Sequence, residues 1–172
     1  MNPVLQTERL SFRISTVEDV DLFRSTWGDA EVMQTFGPGV PVLPECIKQH
    51  LDEHIAAYQS GKMFPWSLIL KDNNEKIGFG YLRAEDNQFH TLSIGYLIRK
   101  VYWGKGYATE FVKAAVKFGI EELDPYQIVA TVIPDHIASR RVLEKAEFSY
   151  NHSIPELNRN VYAIKNPARA DE

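Results

Sequence analysis

The chain has 172 residues, 44% hydrophobic and 24% charged, a size and balance that suit one globular domain with a single good core. A formal charge of −4 at pH 7 and a pI near 5.8 exclude a general nucleic-acid binder, because neutralising phosphates needs a surplus of Lys and Arg. The single Cys46 excludes an internal disulfide and any multi-cysteine metal site, and the absence of a signal-type opening or an apolar run of about 18 residues leads us to expect a cytoplasmic protein that does not enter a membrane.

No repeat, low-complexity tract or linker divides the sequence, so one domain is expected over residues 1–172, with its core between about 5 and 165. LSFRIS (10–15) alternates apolar and polar residues and predicts a half-buried first strand. A helix follows in STVEDVDLFRSTWG: Thr16 caps it, Asp19 completes a capping box, and Val17, Val20, Leu22 and Phe23 give it an apolar face. FGPGVPVLP is a loop by composition. From 44 to 59, Ile47, Leu51, Ile55 and Tyr58 recur at spacings of three and four, which predicts a second amphipathic helix ending at Gly61. Cys46 in that helix reads as a buried or half-buried structural residue.

PWSLILKD (65–72), the turn NNEK and IGFGYLRAED (77–86) predict a hairpin, and TLSIGYLIR (91–99) a further strand. A third helix is expected from Gly106 or Tyr107 to Leu123, with Ala108, Phe111, Val112, Ala115, Val116 and Ile120 inward, Lys113 and Lys117 outward, and Pro125 forbidding continuation. QIVATVIP (127–134) is a strand, IASRRVLEKA (137–146) a short helix, and 158–164 a last strand. An antiparallel front half followed by strand, helix, strand, helix and strand suggests an α/β mixed sheet with helices on its faces.

Two glycines flank a lysine in VYWGKGYATE (101–110), at the passage from strand to helix. Such a pair serves either a turn or a ligand. The helix starts just after them, so the free N–H groups of its first turn and the positive end of its dipole face the loop, which is an anion site in waiting. A Walker A loop is excluded because Lys105 lies between the glycines, and the dinucleotide fingerprint G-x-G-x-x-G fails because its third glycine would be Thr109.

YLIRKVYWGKGYATE (96–110) and VIPDHIASRRVLEKAEF (132–148) together resemble the GNAT superfamily of N-acetyltransferases, most nearly its ribosomal-protein-alanine acetyltransferase branch. The likeness extends over nearly the whole chain: LQTERLSFRISTVEDVDLF (5–23) is similar to that branch's opening strand and helix, and DAEVMQTFGPG (29–39) to the segment after it. The resemblance implies a mostly antiparallel sheet with a V-shaped split between two parallel strands. It also implies that acetyl-coenzyme A, as co-substrate and with no metal, occupies that split. By position, Gly104, Lys105, Gly106, Tyr107, Ala108 and Thr109 match the pyrophosphate loop, and Leu97, Ile98 and Arg99 the strand along the pantetheine. Trp103 stands where the family pattern has Gln or Arg, as a structural residue; Lys105 is either a phosphate contact or a solvated side chain.

The second motif departs further from the pattern. His136 replaces an Asn that reaches the pantetheine amides in relatives, and imidazole cannot copy both faces of an amide. Ser139 bonds either cofactor or helix backbone, and Arg140 or Arg141 either a phosphate or solvent. Glu144 stands where many relatives place a Tyr acid, Glu147 where they have Gly, and Ser93 where this branch often has Glu.

The implied activity is acetyl transfer from acetyl-coenzyme A to a primary amine, of a protein N-terminus or a small molecule, by direct attack in a ternary complex. The amine must lose its proton and the oxyanion must find a donor, for which the Ile98 amide is the candidate, with Ser139 and His90 as further catalytic candidates. Glu85 and Asp86 are alternative bases, and Tyr96 faces either the acceptor or the core. The second helix and the loops around FGPGVP and GKMFPW, with Phe36, Met63, Phe64 and Trp66, are expected to wall the acceptor side. The acidic total leans toward cationic acceptors. Other readings of the same residues are a catalytically weak acyl-coenzyme-A-binding or regulatory module, motivated by Ser93, His136 and Glu144, and a protein–protein interaction domain. A monomer or homodimer fits either.

Overall fold

The alternating segments build one eight-stranded sheet with a separate apolar core against each face. In the computed structural model, which describes residues 4–169, the strands are β1 (Leu5–Gln6), β2 (Leu10–Ile14), β3 (Met63–Leu70), β4 (Lys76–Ala84), β5 (Thr91–Ile98), β6 (Gln127–Val132), β7 (Ser149–Ile154) and β8 (Arg159–Lys165). Their order across the sheet is β1-β2-β3-β4-β5-β6-β8-β7, and every pairing is antiparallel except β5 with β6. The helices are α1 (Val20–Trp27), α2 (Ala30–Met33), α3 (Pro44–Gln59), α4 (Tyr107–Phe118) and α5 (Ile137–Lys145).

Strand periodicity sorts the side chains between the two cores. On β4 and β5, Ile77, Leu82, Leu92, Ile94 and Ile98 join Phe111, Val112 and Ala115 of α4 and Leu143 of α5. Phe79 and Leu97 point the other way and pack with Phe23 and Trp27 of α1, Val32 and Met33 of α2, and Ile47 and Leu51 of α3. Helix α3 has the predicted bounds, and α4 runs on as a π-helical stretch, Gly119–Leu123, to the predicted end. Among the described residues no helix is long and apolar enough to cross a membrane.

Three elements were not legible. β1 is two residues long and α2 only four. β7 reads SYNHSI, and all but Ile154 are exposed, so this edge strand has no alternation to find. Val17, counted on the apolar face of the first helix, lies instead in a short 3₁₀ turn ahead of α1 and is exposed.

Asp19 does more than cap. Its carboxylate is 0% exposed and takes Arg13 Nη1 at 2.7 Å, Arg13 Nη2 at 2.8 Å, Lys76 Nζ at 2.6 Å and the Thr16 N–H at 2.9 Å. It thereby ties β2, the start of β4 and the entry of α1 together. Burial works to raise its pKa, but the hydrogen bonds from Arg13, Lys76 and Thr16 outweigh burial and hold the group down at about 2, against an ordinary 3.8. A carboxyl depressed in the folded state stabilises fully above its unfolded pKa and loses that contribution as pH falls through the folded one. Asp19→Ala is therefore expected to cost about 3 kcal/mol at pH 7. In urea unfolding followed down the pH scale, the gap between wild type and variant should stay constant to about pH 4 and close toward pH 2.

Glu147 stands just past the end of α5 with φ at 67°, the left-handed conformation in which helices commonly place glycine. A side chain there costs on the order of 1 kcal/mol. Glu147→Gly is expected to raise the unfolding midpoint, by a change of about 0.5–1 kcal/mol in urea or heat.

Candidate active site

β5 and β6 pair only at Thr91 with Gln127, Leu92 with Ile128 and Ser93 with Val129. Beyond Ser93 the two strands separate, while β5 stays bonded to β4 as far as Ile98. Arg99 N–H donates to the Ile77 carbonyl at 2.9 Å, which fixes the alternation of the antiparallel pair. The main-chain groups of Leu97 and Gly95 face β4; those of Ile98, Tyr96 and Ile94 face the gap. One of them is already used, because the Trp103 indole donates to the Ile98 carbonyl at 2.7 Å. Trp103 is thus structural, and Ile98 N–H and both main-chain groups of Tyr96 remain on the open edge.

The loop after β5 supplies the second half of the site. Gly104 and Gly106 have φ of 74° and 82°, so both turns need glycine whatever binds there. An added Cβ at Gly104 meets nothing within 4 Å, so the outer face of the loop is open. None of the six N–H groups from Gly104 to Thr109 has a main-chain or side-chain acceptor among the described residues. The turn alone accounts for both glycines, and it leaves the amides after them facing outward. Arg9, at the entry of β2, holds the loop from behind: its Nη1 donates to the Lys105 carbonyl at 2.9 Å, its guanidinium pairs with Glu110 at 2.7 Å, and it lies 4.6 Å from the Tyr107 ring centre.

A cavity of about 910 Å³ passes through the split and joins the two faces of the sheet. Of the residues singled out from the sequence, Leu97, Ile98, Gly104, Gly106, Tyr107, Ala108, Thr109, His136 and Ser139 line it. Arg99 and Lys105 do not. Arg99 pairs with Glu75 at 3.1 Å, and Lys105 Nζ sits 5.3 Å from the Tyr102 ring centre. His90 is not brought to the cavity either: it precedes β5 at the end remote from the loop and packs on Tyr126 at 4.9 Å. Glu85 pairs with Arg83 at 3.0 Å, and Asp86 accepts from the N–H groups of Gln88, His90 and Thr91, so both serve the hairpin. Glu144 faces Arg140 at 3.5 Å. Ser93 Oγ is buried without a partner among the described residues, and burial lowers the pKa of His136.

Tyr96 follows the core alternative: its ring packs on the α4–α5 face with Ile94 and Ile98, and its hydroxyl reaches the cavity from that face. Its hydroxyl shares a 2.8 Å hydrogen bond with Ser139 Oγ, which joins β5 to α5 at the split. Burial pushes the phenol up to about 12, the Ser139 bond working the other way, so it stays protonated.

The second helix, α3, walls the far end of the cavity as expected, but the side chains it presents there were not singled out. Phe36 and Met63 line that end as expected, but Phe64 and Trp66 do not: being even-numbered on β3, they point to the opposite face, where Trp66 packs against Phe64, Phe111 and Phe118. His50, Glu53, His54 and Ala57 of α3 form a second stripe beside its apolar face and line the cavity with Trp27 and Tyr81. Their spacing of three, four and seven was visible in the sequence, masked by the stronger apolar stripe. Glu53 is the only carboxylate lining the cavity among the described residues, against Arg83, Arg141, Lys145 and Arg159, so the acidic total does not carry over to the site.

Comparison with known proteins bears on the same residues. A family model described as the acetyltransferase (GNAT) domain matches residues 9–149. The chain is 28% identical to the uncharacterised N-acetyltransferase YoaA of Bacillus subtilis, over 97% of this chain and 99% of that one. An acetyltransferase of the GNAT family from Bacillus anthracis superposes with a TM-score of 0.82 at 26% identity, covering 95% of this chain and 99% of the other. RimL, a ribosomal L7/L12 alpha-N-protein acetyltransferase solved with coenzyme A, shares the fold at a TM-score of 0.84 and 18% identity, over 96% and 98% of the two chains.

Proposed function

The chain belongs to the GNAT acetyltransferase family, and from that premise we propose that it transfers an acetyl group from acetyl-coenzyme A to a primary amine by direct attack in a ternary complex. The observation that carries this reading is the row of unpartnered N–H groups from Gly104 to Thr109, opening on the same cavity as the unpaired edge of β5. Six donors at a helix N-terminus suit a pyrophosphate, and the dipole of α4 adds to them. An extended arm with its own amides suits the edge that β6 leaves. Ile98 N–H is reached first from the loop and Tyr96 N–H one pair deeper, so Tyr96 N–H, in place of the Ile98 amide expected from the sequence, meets the thioester oxygen as charge develops on it, and Ile98 N–H holds the arm.

The acceptor amine comes from the other face of the sheet, through the split, and attacks the thioester carbon. As the carbon–sulfur bond breaks, the sulfur needs a proton. Ser139 Oγ supplies it and recovers one from the Tyr96 hydroxyl, to which it is already bonded. This role replaces the one Glu144 cannot fill, because Glu144 does not line the cavity. The chain's own work is therefore placement, main-chain hydrogen bonding and one proton relay.

Thiol release from acetyl-coenzyme A, measured over a panel of amines, tests the reaction; no release with any amine, in protein that binds the coenzyme by calorimetry, would sink it. Ser139→Ala is expected to lower kcat about 100-fold with the KM for acetyl-coenzyme A little changed. Tyr96→Phe should give a smaller loss, and the double variant no more than Ser139→Ala alone, since the two hydroxyls act in series.

Gly106→Val is expected to weaken coenzyme A binding at least tenfold in calorimetry. A β-branched residue at φ of 82° re-aims the loop amides, and its Cβ stands 3.4 Å from Arg9 Nη2, disturbing the group that holds the loop from behind. Urea unfolding of the same variant separates this loss from a loss of fold.

A further inference from the structure

The acceptor wall contains an uncommitted base. His54 of α3 lines the cavity, and its ring is boxed by Trp27 of α1 at 5.0 Å and by Phe79 and Tyr81 of β4 at 5.3 and 6.3 Å between ring centres. Its Nδ1 is buried without a hydrogen-bond partner, and no described residue bonds its Nε2. Tyr81 stands between this imidazole and β5. Its ring lies over Gly95, where an added Cβ would come within 2.5 Å of Tyr81 Cζ, so the glycine is what lets the phenol reach the strand that carries Tyr96.

We propose that His54 is the catalytic base that receives the acceptor's proton, and that the acceptor is an aromatic amine, uncharged at neutral pH, not an alkylammonium; this rests on the acetyl-transfer reading above. The balance is simple. The amine nitrogen forms the new bond to the thioester carbon, its N–H proton passes to His54 Nε2, and the sulfur departs with the proton from Ser139. His54 then returns its proton to water, and the hydroxyl pair takes one back.

The surroundings of His54 favour an uncharged guest. The charged and titratable groups that face it are His50 and Glu53 from its own helix and Arg83 and Tyr81 from β4, while α1 contributes only Trp27. Glu53 is half exposed and engaged with His50 at 3.3 Å and Gln49 at 3.0 Å, so no carboxylate inside the aromatic box is free to hold an ammonium. Desolvating an ammonium without such a partner is costly. Burial, assisted by His50 and Arg83 and opposed by Glu53, also pulls the imidazole down to about 4. It is then always unprotonated near pH 7, ready to accept from a neutral amine, yet about six units too weak to strip an alkylammonium. Trp27, Met33, Phe36 and Val42, which line the same end, supply flat and apolar area for an aryl body.

Aniline and benzylamine make a matched pair, one uncharged and the other charged at pH 7. With histidine-labelled protein saturated with coenzyme A, aniline is expected to shift the His54 ring resonances, assigned by their loss in His54→Gln, while benzylamine at equal concentration leaves them in place. In turnover, kcat/KM for aniline should exceed that for benzylamine at least 100-fold. His54→Phe, which keeps the ring packing, should lower kcat for aniline by about 10²–10⁴-fold with the coenzyme A dissociation constant unchanged. Equal use of the two amines, or a folded His54→Phe that keeps kcat within threefold, would overturn the proposal. Failure of wild type to bind coenzyme A would instead count against the acetyl-transfer reading, and the aniline-induced shift can still be read in that case. If His54→Phe does not fold, the ring shifts in wild type decide.

Discussion

The site exists because two neighbouring strands stop pairing. Three residues of β5 are matched by β6, and from Ile94 onward the same edge has no strand beside it. Leaving main-chain donors and acceptors unpaired inside a sheet is unfavourable unless something else meets them. The fold meets one, by bringing the Trp103 indole back to the Ile98 carbonyl, and leaves the Ile98 N–H and the main-chain groups of Tyr96 open to the cavity. A β6 that followed β5 to its end would remove both the cavity and the edge, with every side chain in place.

The loop after β5 solves a related problem at the end of the same strand. The chain has to turn from sheet into helix within a few residues, and two left-handed glycines do it, which aims the following amides outward and puts the start of α4 behind them. That arrangement concentrates positive potential without any lysine being essential, and Lys105 accordingly lies outside the cavity. Arg9 adds stiffness from the far side of the sequence, bonded at once to Lys105, Glu110 and the face of Tyr107. Nothing near Arg9 in the sequence signals this, because its partners are about a hundred residues away.

The same distinction explains what was legible. The helices α3 and α4, the hairpin of β3 and β4, and the strands β5 and β6 follow from local periodicity and turn chemistry, and the coenzyme half of the site lies on one continuous stretch from Leu97 to Thr109. The recognition proposed there is by main chain, so glycine spacing announces it. The acceptor half draws on α1, α2, α3, β4 and the loop at Phe36, and is made of side chains whose meeting only the topology decides. His54 is an ordinary surface-helix residue until Trp27 and Phe79 close over it, whereas His90, more conspicuous beside the strand, packs on Tyr126 instead. Phe64 and Trp66 misled for a simpler reason: in a strand, one step of register sends a residue to the other face.

These two halves also differ in how they treat charge. The proposed coenzyme side has amide dipoles and the basic groups of α5, while the proposed acceptor side is aromatic, with Glu53 engaged by His50 and the His54 imidazole held neutral by burial. The sheet lies between them and communicates only through the gap beside Ile94, Tyr96 and Ile98. In the proposed mechanism a proton released by the amine on one face and a proton needed by sulfur on the other have separate handlers, His54 on the first and Ser139 with Tyr96 on the second. Under that proposal no single residue has to serve as both base and acid, and the absence of a tyrosine at Glu144 and of a glutamate at Ser93 does not by itself remove the means of turnover.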